Sequence, residues 1–230
     1  MVNNRSSGVF DSNKPLPHGT VTPQMSIMND SIEPLPRSFY ARGTVTVARA
    51  LLNKRLVRMS GRAMLIGRIV EVEAYGGRND PASHAYRGRT PRNMPMFGES
   101  GHAYIYFTYG NHYCLNVTTQ PAGIPGAVLI RAIEPLNGLD VMKRLRPSVA
   151  ELQLTNGPGK LTKALGIDKS LNEIDMTRQG LLFIAKAGSH SLFVIKRSAR
   201  IGITLGIEHL WRFYIKSNLY VSRSAFTSTE

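Results

Sequence analysis

Five runs with strand periodicity, at 55–59, 65–75, 103–108, 112–118 and 126–133, follow one another without the regular β-α-β alternation of a parallel sheet. That order predicts a single α+β domain built on a largely antiparallel sheet. Apolar spacing adds the helices. Val45, Ala48, Leu51 and Leu52 predict one over 43–53, Pro135 opens another whose stripe is Leu136, Leu139, Met142 and Leu145, and a short helix over 160–165 follows the Asn156-Gly157-Pro158-Gly159 turn. Three later runs, 181–186, 199–203 and 211–216, read as strands. Residues 1–36 hold Pro15, Pro17, Pro23, Pro34 and Pro36 among small polar residues, with no apolar periodicity, and read as a disordered tail before a 37–230 domain.

Charge narrows the class of partner. The chain of 230 residues carries 29 Lys+Arg against 15 Asp+Glu, a formal net charge of +14. Residues 1–40 hold Arg5, Lys14 and Arg37 against Asp11, Asp30 and Glu33, so the whole excess falls in 41–230. A cationic body of this kind suits a polyanion, of which nucleic acid is the commonest; the plainer reading is a solvated basic surface. No apolar run reaches the roughly 18–20 residues that cross a bilayer, and the N-terminus lacks the apolar core of a signal peptide, so an intracellular protein without a membrane association is expected. A single cysteine, Cys114, excludes an internal disulfide and a multi-thiolate zinc site.

Two segments concentrate the groups that could do chemistry. Along 65–75 side chains alternate faces, so Glu71, Glu73 and Tyr75 fall on one face and Val70, Val72 and Ala74 on the other. Two carboxylates beside an aromatic ring allow a catalytic reading, and the plainer reading is an edge strand with a solvated polar face. Along 104–113 stand four of the nine tyrosines. Tyr104 and Tyr106 share a strand face, while Tyr109-Gly110-Asn111 forms a turn that presents Tyr109 at its tip. In a cationic protein such rings can stack on unstacked bases, or they can pack on the core with hydroxyls in water.

The ordered set of segments 69–75 (IVEVEAY), Ser83-His84, Arg89-Thr90-Pro91-Arg92-Asn93, Met96-Phe97, 104–110 (YIYFTYG), 115–117 (LNV), 128–135 (VLIRAIEP) and 157–161 (GPGKL) resembles the alkyladenine (3-methyladenine) DNA glycosylase family. The resemblance spans about 37–220 and implies a curved, largely antiparallel sheet surrounded by helices. It also implies a repair enzyme, active as a monomer on double-stranded DNA, that flips alkylated or deaminated purines out of the helix and hydrolyses the N-glycosidic bond without strand cleavage. By the same resemblance Glu73 is the general base and Arg131 fixes its water. Tyr75, Tyr106 and His84 form the walls around the base, Asn116 excludes guanine through its 2-amino group, and Tyr109 is the wedge in the minor groove. Met96, Arg92 and Lys160 fall at DNA-contacting positions, with Lys160 also readable as a phosphate contact at a helix start.

No cofactor is expected, because Gly157, Gly159 and Gly166 do not follow a strand in dinucleotide-loop spacing. No metal is expected either, since His102 and His112 sit at opposite ends of a hairpin. The matched pocket segments contain no lysine for Schiff-base chemistry. The alternative reading is a non-catalytic binder of damaged DNA or of RNA on the same scaffold, against which Glu73 argues, because a binder has no use for a carboxylate beside the base.

Overall fold

A computed structural model of the chain describes residues 32–187 and 192–222. Up to residue 31 the expected tail lies outside the described residues. From there Pro34 bridges to Ala185 and the Leu35 N–H donates to the Ile184 carbonyl, so residues 32–36 continue the sheet edge of the domain.

Two short helices, α1 (Arg37–Tyr40) and α2 (Thr44–Leu51), lead into the sheet. Its strands are β1 (Arg55–Ser60), β2 (Ala63–Tyr75), β3 (Ala103–Thr108), β4 (His112–Thr118), β5 (Ala127–Asn137), β6 (Leu182–Ala185), β7 (Ile195–Ser198) and β8 (Arg212–Ile215). Every pairing is antiparallel. The main path runs β3-β4-β5-β2-β1-β6, and β8, with β7 beside it, branches from β2. Helices α3 (Leu139–Leu145) and α4 (Pro158–Leu165) complete the α+β domain.

Strand β2 is the spine. β5 lies along one edge, while the other is shared by β1, over Ala63–Arg68, and β8, over Glu71–Glu73. Both of its faces are covered as well, for Val70, Glu71, Val72, Glu73 and Ala74 are all fully buried. The solvated edge-strand alternative for Glu71 and Glu73 is thereby removed. Between Ile69↔Ile133 and Val72↔Ile130 the β2–β5 ladder breaks twice: Val70 has no partner on β5, and Arg131 has none on β2. Bulges of this kind bend a sheet and re-aim side chains. Here they put Arg131 on the same side as both glutamates.

Two sequence expectations are corrected. Pro135 does not open a helix; β5 runs through it to Asn137, at a register irregularity opposite Gly67 where a missing N–H leaves the ladder little worse off. The helix waits for Gly138, whose φ of 79° turns the chain into α3. Residues 199–203 likewise form a turn rather than a strand, and the strand of this region is β7, one step earlier. The cause is Arg200, whose side chain is pulled into the interior by Asp80. Gly138 allows a direct check: a Cβ there would strike Leu65 Cδ2 in a left-handed conformation. Gly138→Ala should therefore lower stability by about 1–3 kcal/mol in chemical denaturation, without changing the far-ultraviolet spectrum of the folded state.

Candidate active site

A cavity of about 220 Å³ opens between β2, the 82–84 turn, the β3–β4 hairpin, β5 and the 201–203 turn. Its lining includes Tyr75, His84, Tyr104, Tyr106, Asn116 and Arg131. The volume is below the roughly 300–1,000 Å³ of sites for drug-sized ligands, and suits a single heterocycle. No lysine lines it.

Glu73 lies just behind this wall, fully buried. Its Oε1 accepts the Ile201 N–H at 2.7 Å, and its Oε2 accepts the Tyr75 hydroxyl at 2.8 Å, with Arg131 Nη1 3.3 Å away. Tyr75, Ile201 and Arg131, the three residues that meet this carboxylate, all line the cavity, so Glu73 is one side chain removed from its interior. Burial and the adjacent Glu73 push the Tyr75 hydroxyl well above its ordinary value, so it stays protonated and keeps donating.

Glu71 supports this arrangement from one pleat away. Its carboxylate accepts Arg131 Nε at 2.9 Å, Arg212 Nε at 2.7 Å, the Ser222 N–H at 2.7 Å and the Ser222 hydroxyl at 2.7 Å. Burial works against its charge, but Arg131 and Arg212 outweigh that and hold it below the usual carboxylate range. For Arg131, burial favours loss of the proton and is overcome by Glu73 and Glu71, which hold the guanidinium above its ordinary value. Arg131 thus reaches the cavity as a permanent cation fixed by two carboxylates.

The aromatic walls are tied together. His84 shares a hydrogen bond with the Tyr104 hydroxyl through Nδ1 at 2.9 Å, and its ring centroid lies 4.7 Å from that of Tyr106. Partial burial, with Arg92 nearby, holds the imidazole below its ordinary value, which keeps it neutral near pH 7. Asn116, on β4, donates from Nδ2 to the Tyr104 carbonyl at 2.9 Å and presents the rest of its amide to the cavity. Cys114 also lines it, with burial raising the thiol to about 11, so no thiolate competes as a nucleophile at neutral pH.

The outer positions separate. Tyr109 is 80% exposed at the tip of the β3–β4 turn, with φ of 49° followed by 68° at Gly110, the paired positive angles of a tight hairpin turn. Arg92 is exposed and stacks its guanidinium 5.1 Å from the Tyr106 centroid. Met96, expected to touch DNA, is 1% exposed and forms part of the cavity floor with Ala127, because the 3-10 turn Met94–Phe97 folds its side chain inward. Lys160 stands outside the cavity in a neighbouring basic cleft with His112, Arg146 and Lys163, its Nζ on Asn156 Oδ1 at 2.8 Å. Sequence reading missed Asp80, Arg200 and Arg212, whose ion-pair partners lie far along the chain, 120 residues apart for Asp80 and Arg200 and 141 for Arg212 and Glu71, with no local signature. Among the described residues no group of three or more His, Cys, Asp and Glu could hold a metal, and no helix is long and apolar enough to cross a membrane.

With this geometry in view, comparison with known proteins becomes specific. The profile of the methylpurine-DNA glycosylase family matches residues 38–219. A protein of Carboxydothermus hydrogenoformans is 52% identical over 189 residues, covering 82% of this chain and 98% of its own length. One from Methanoculleus marisnigri is 48% identical with the same coverage, and one from Burkholderia lata 47% identical over 82% of this chain and 90% of its own. All three carry the name "Putative 3-methyladenine DNA glycosylase". The chain belongs to the methylpurine-DNA glycosylase family.

The Glu71 cluster makes a prediction in stability. Its folded-state pKa is lowered, so its contribution is present above the unfolded value near 4.5 and is lost as pH falls through the folded one. Glu71→Gln should cost about 3–5 kcal/mol at pH 7, the cost of leaving buried cations short of a partner, and the gap to wild type should close in denaturant titrations below pH 4.5.

Proposed function

We propose that this chain hydrolyses the N-glycosidic bond of alkylated or deaminated purines in double-stranded DNA, with Glu73 as general base and Arg131 beside it. The observation that carries the reading is a buried carboxylate held by Tyr75, Arg131 and the Ile201 N–H at the back of a cavity of heterocycle size. A base stacked in the duplex cannot reach such a cavity, so the nucleotide is extruded, and Tyr75, Tyr106 and His84 surround the base. Tyr109, exposed on its turn, fills the gap left in the stack.

The reaction balances with one carboxylate. Glu73 takes a proton from water, the hydroxide oxygen bonds to the sugar carbon, and the N-glycosidic bond breaks with its electron pair leaving on the base. A purine alkylated to a cation departs neutral, so no acid is needed. An uncharged lesion such as hypoxanthine leaves more slowly unless it gains a proton. Arg131 serves the site as a fixed cation near the incoming water and the phosphate backbone. The Asn116 amide, on the cavity wall, supports discrimination against the 2-amino group of guanine.

Purified protein incubated with duplexes carrying hypoxanthine or ethenoadenine, or with methylated DNA, is expected to release the modified base and leave an abasic site. Glu73→Gln should bind lesion duplex within a few-fold of wild type and release base at least about a hundredfold more slowly in single turnover. Equal rates would show that another group activates the water. Retained lesion binding with no release by wild type would favour the non-catalytic binder.

The net charge of +14 supports contact with phosphates and binding to undamaged duplex that weakens steeply with salt. In titrations at several salt concentrations, Lys160→Ala should lower the slope of log K against log salt by about one, and weaken damaged and undamaged duplexes alike. A slope unchanged from wild type would remove Lys160 from the DNA interface.

A further inference from the structure

We infer that Asp80 and Arg200 form a positioning pair for this site, an ion pair outside the cavity that sets Tyr75 and Glu73 in their working places. The inference rests on the glycosylase reading above. Both side chains are essentially without solvent exposure. Arg200 donates from Nη1 to Asp80 Oδ2 and from Nη2 to Asp80 Oδ1, each at 2.7 Å, a bidentate pair. Neither residue lines the cavity.

The pair joins three walls that the chain encodes far apart. The first is the ring of Tyr75: the Arg200 guanidinium lies 4.7 Å from its centroid, and Trp211 closes on the same cation at 5.3 Å. Since the cavity borders Tyr75 and not Arg200, the cation supports the ring from behind. Nη1 also donates to the Ala74 carbonyl at 2.9 Å, fixing the backbone between Glu73 and Tyr75. The second wall is the turn leading to His84, where Asp80 accepts the Gly76 N–H at 2.9 Å and the Ala82 N–H at 3.2 Å. The third is the 201–203 turn, since the residue after Arg200 is Ile201, whose N–H holds Glu73 Oε1.

A merely structural role is a weak account of such a pair. Withdrawing two charges from water is costly, and well-packed apolar residues often stabilise a fold as well or better. What apolar residues cannot do is direct a backbone N–H onto a carboxylate and support a ring at the same time. The backbone is shaped around the guanidinium as well: Gly206, at φ of 67°, would bring a Cβ to 3.0 Å from Arg200 Nη2. Displacements of about 1 Å in a reacting group can cost a hundredfold in rate, so loosening this pair acts on the chemical step.

The test uses the full-length chain and two duplexes, one with a lesion that wild type releases and one undamaged. Arg200→Lys keeps the charge but cannot hold both Asp80 oxygens and the Ala74 carbonyl at once. For folded Arg200→Lys, single-turnover base release at saturating enzyme should fall at least about thirtyfold, with affinity for undamaged duplex within about threefold of wild type. Asp80→Asn, which preserves shape and one acceptor, should show the same split and serves if Arg200→Lys does not fold. Release within threefold of wild type by either folded variant would overturn the proposal. So would parallel loss of release and of binding to both duplexes, or failure of both variants to fold, since each would mean that the pair holds the domain and not the site. Wild type is assayed first on hypoxanthine and ethenoadenine duplexes and on methylated DNA, and the variants are compared on a substrate that it releases; if it releases no base, the glycosylase reading falls and this proposal falls with it, an outcome distinct from every result with the variants.

Discussion

The cation on the cavity wall is held by one carboxylate that does not line it. Glu71 accepts four hydrogen bonds from three parts of the chain: Arg131 on β5, Arg212 on β8, and both the N–H and hydroxyl of Ser222. Without those donors a charge buried so deeply in β2 would be untenable, and the strand could not pass through the interior with two acidic residues in five. With them, Arg131 is pinned through Nε, which leaves Nη1 directed at Glu73. The placing of Arg131 against Glu73 therefore depends on a residue one pleat away.

Charge in the site is closely balanced. Glu71, Glu73 and Asp80 face Arg131, Arg200 and Arg212, all buried. The cationic excess of the molecule is thus carried elsewhere, by exposed groups such as Arg92 and Lys160. On the function proposed above, this division suits an enzyme that must hold any stretch of a polyanion but choose by the fit of one base, with affinity without sequence preference assigned to the surface and selection to the near-neutral cavity.

Much of this was legible in the sequence. Strand periodicity located β1 to β6 within a few residues, since each has alternation or a run of β-branched and aromatic residues bounded by turn formers. The face shared by Glu71, Glu73 and Tyr75, and the tyrosines of the β3–β4 hairpin, followed from the same two-residue period. Burial and long-range pairing were not legible. That period gives a face and not its covering, so β2 could equally have been an edge strand until β1, β5 and β8 closed on it. Met96 was placed at a DNA-contacting position by the resemblance alone, yet the 3-10 turn at Met94–Phe97 carries it inward. The 199–203 segment alternates like a strand, but its arginine finds Asp80 across 120 residues, and a tertiary ion pair overrides local pattern. Residues 195–198 carry too much charge to signal β7.

The paired irregularities in the β2–β5 ladder have a consequence for how the fold tolerates its own site. Val70 is the extra residue on one strand and Arg131 the extra residue on the other, so by Val72↔Ile130 the offset between the strands is back to its value at Ile69↔Ile133. The two defects annihilate, like opposite dislocations meeting in a crystal. Distortion stays within about three residues, and pairing is regular on either side of it, over Gly67–Ile69 and Val72–Tyr75. A site of this kind is a sealed interruption in a regular lattice, which lets the sheet hold an irregular, charged centre without passing the disturbance on to its neighbours.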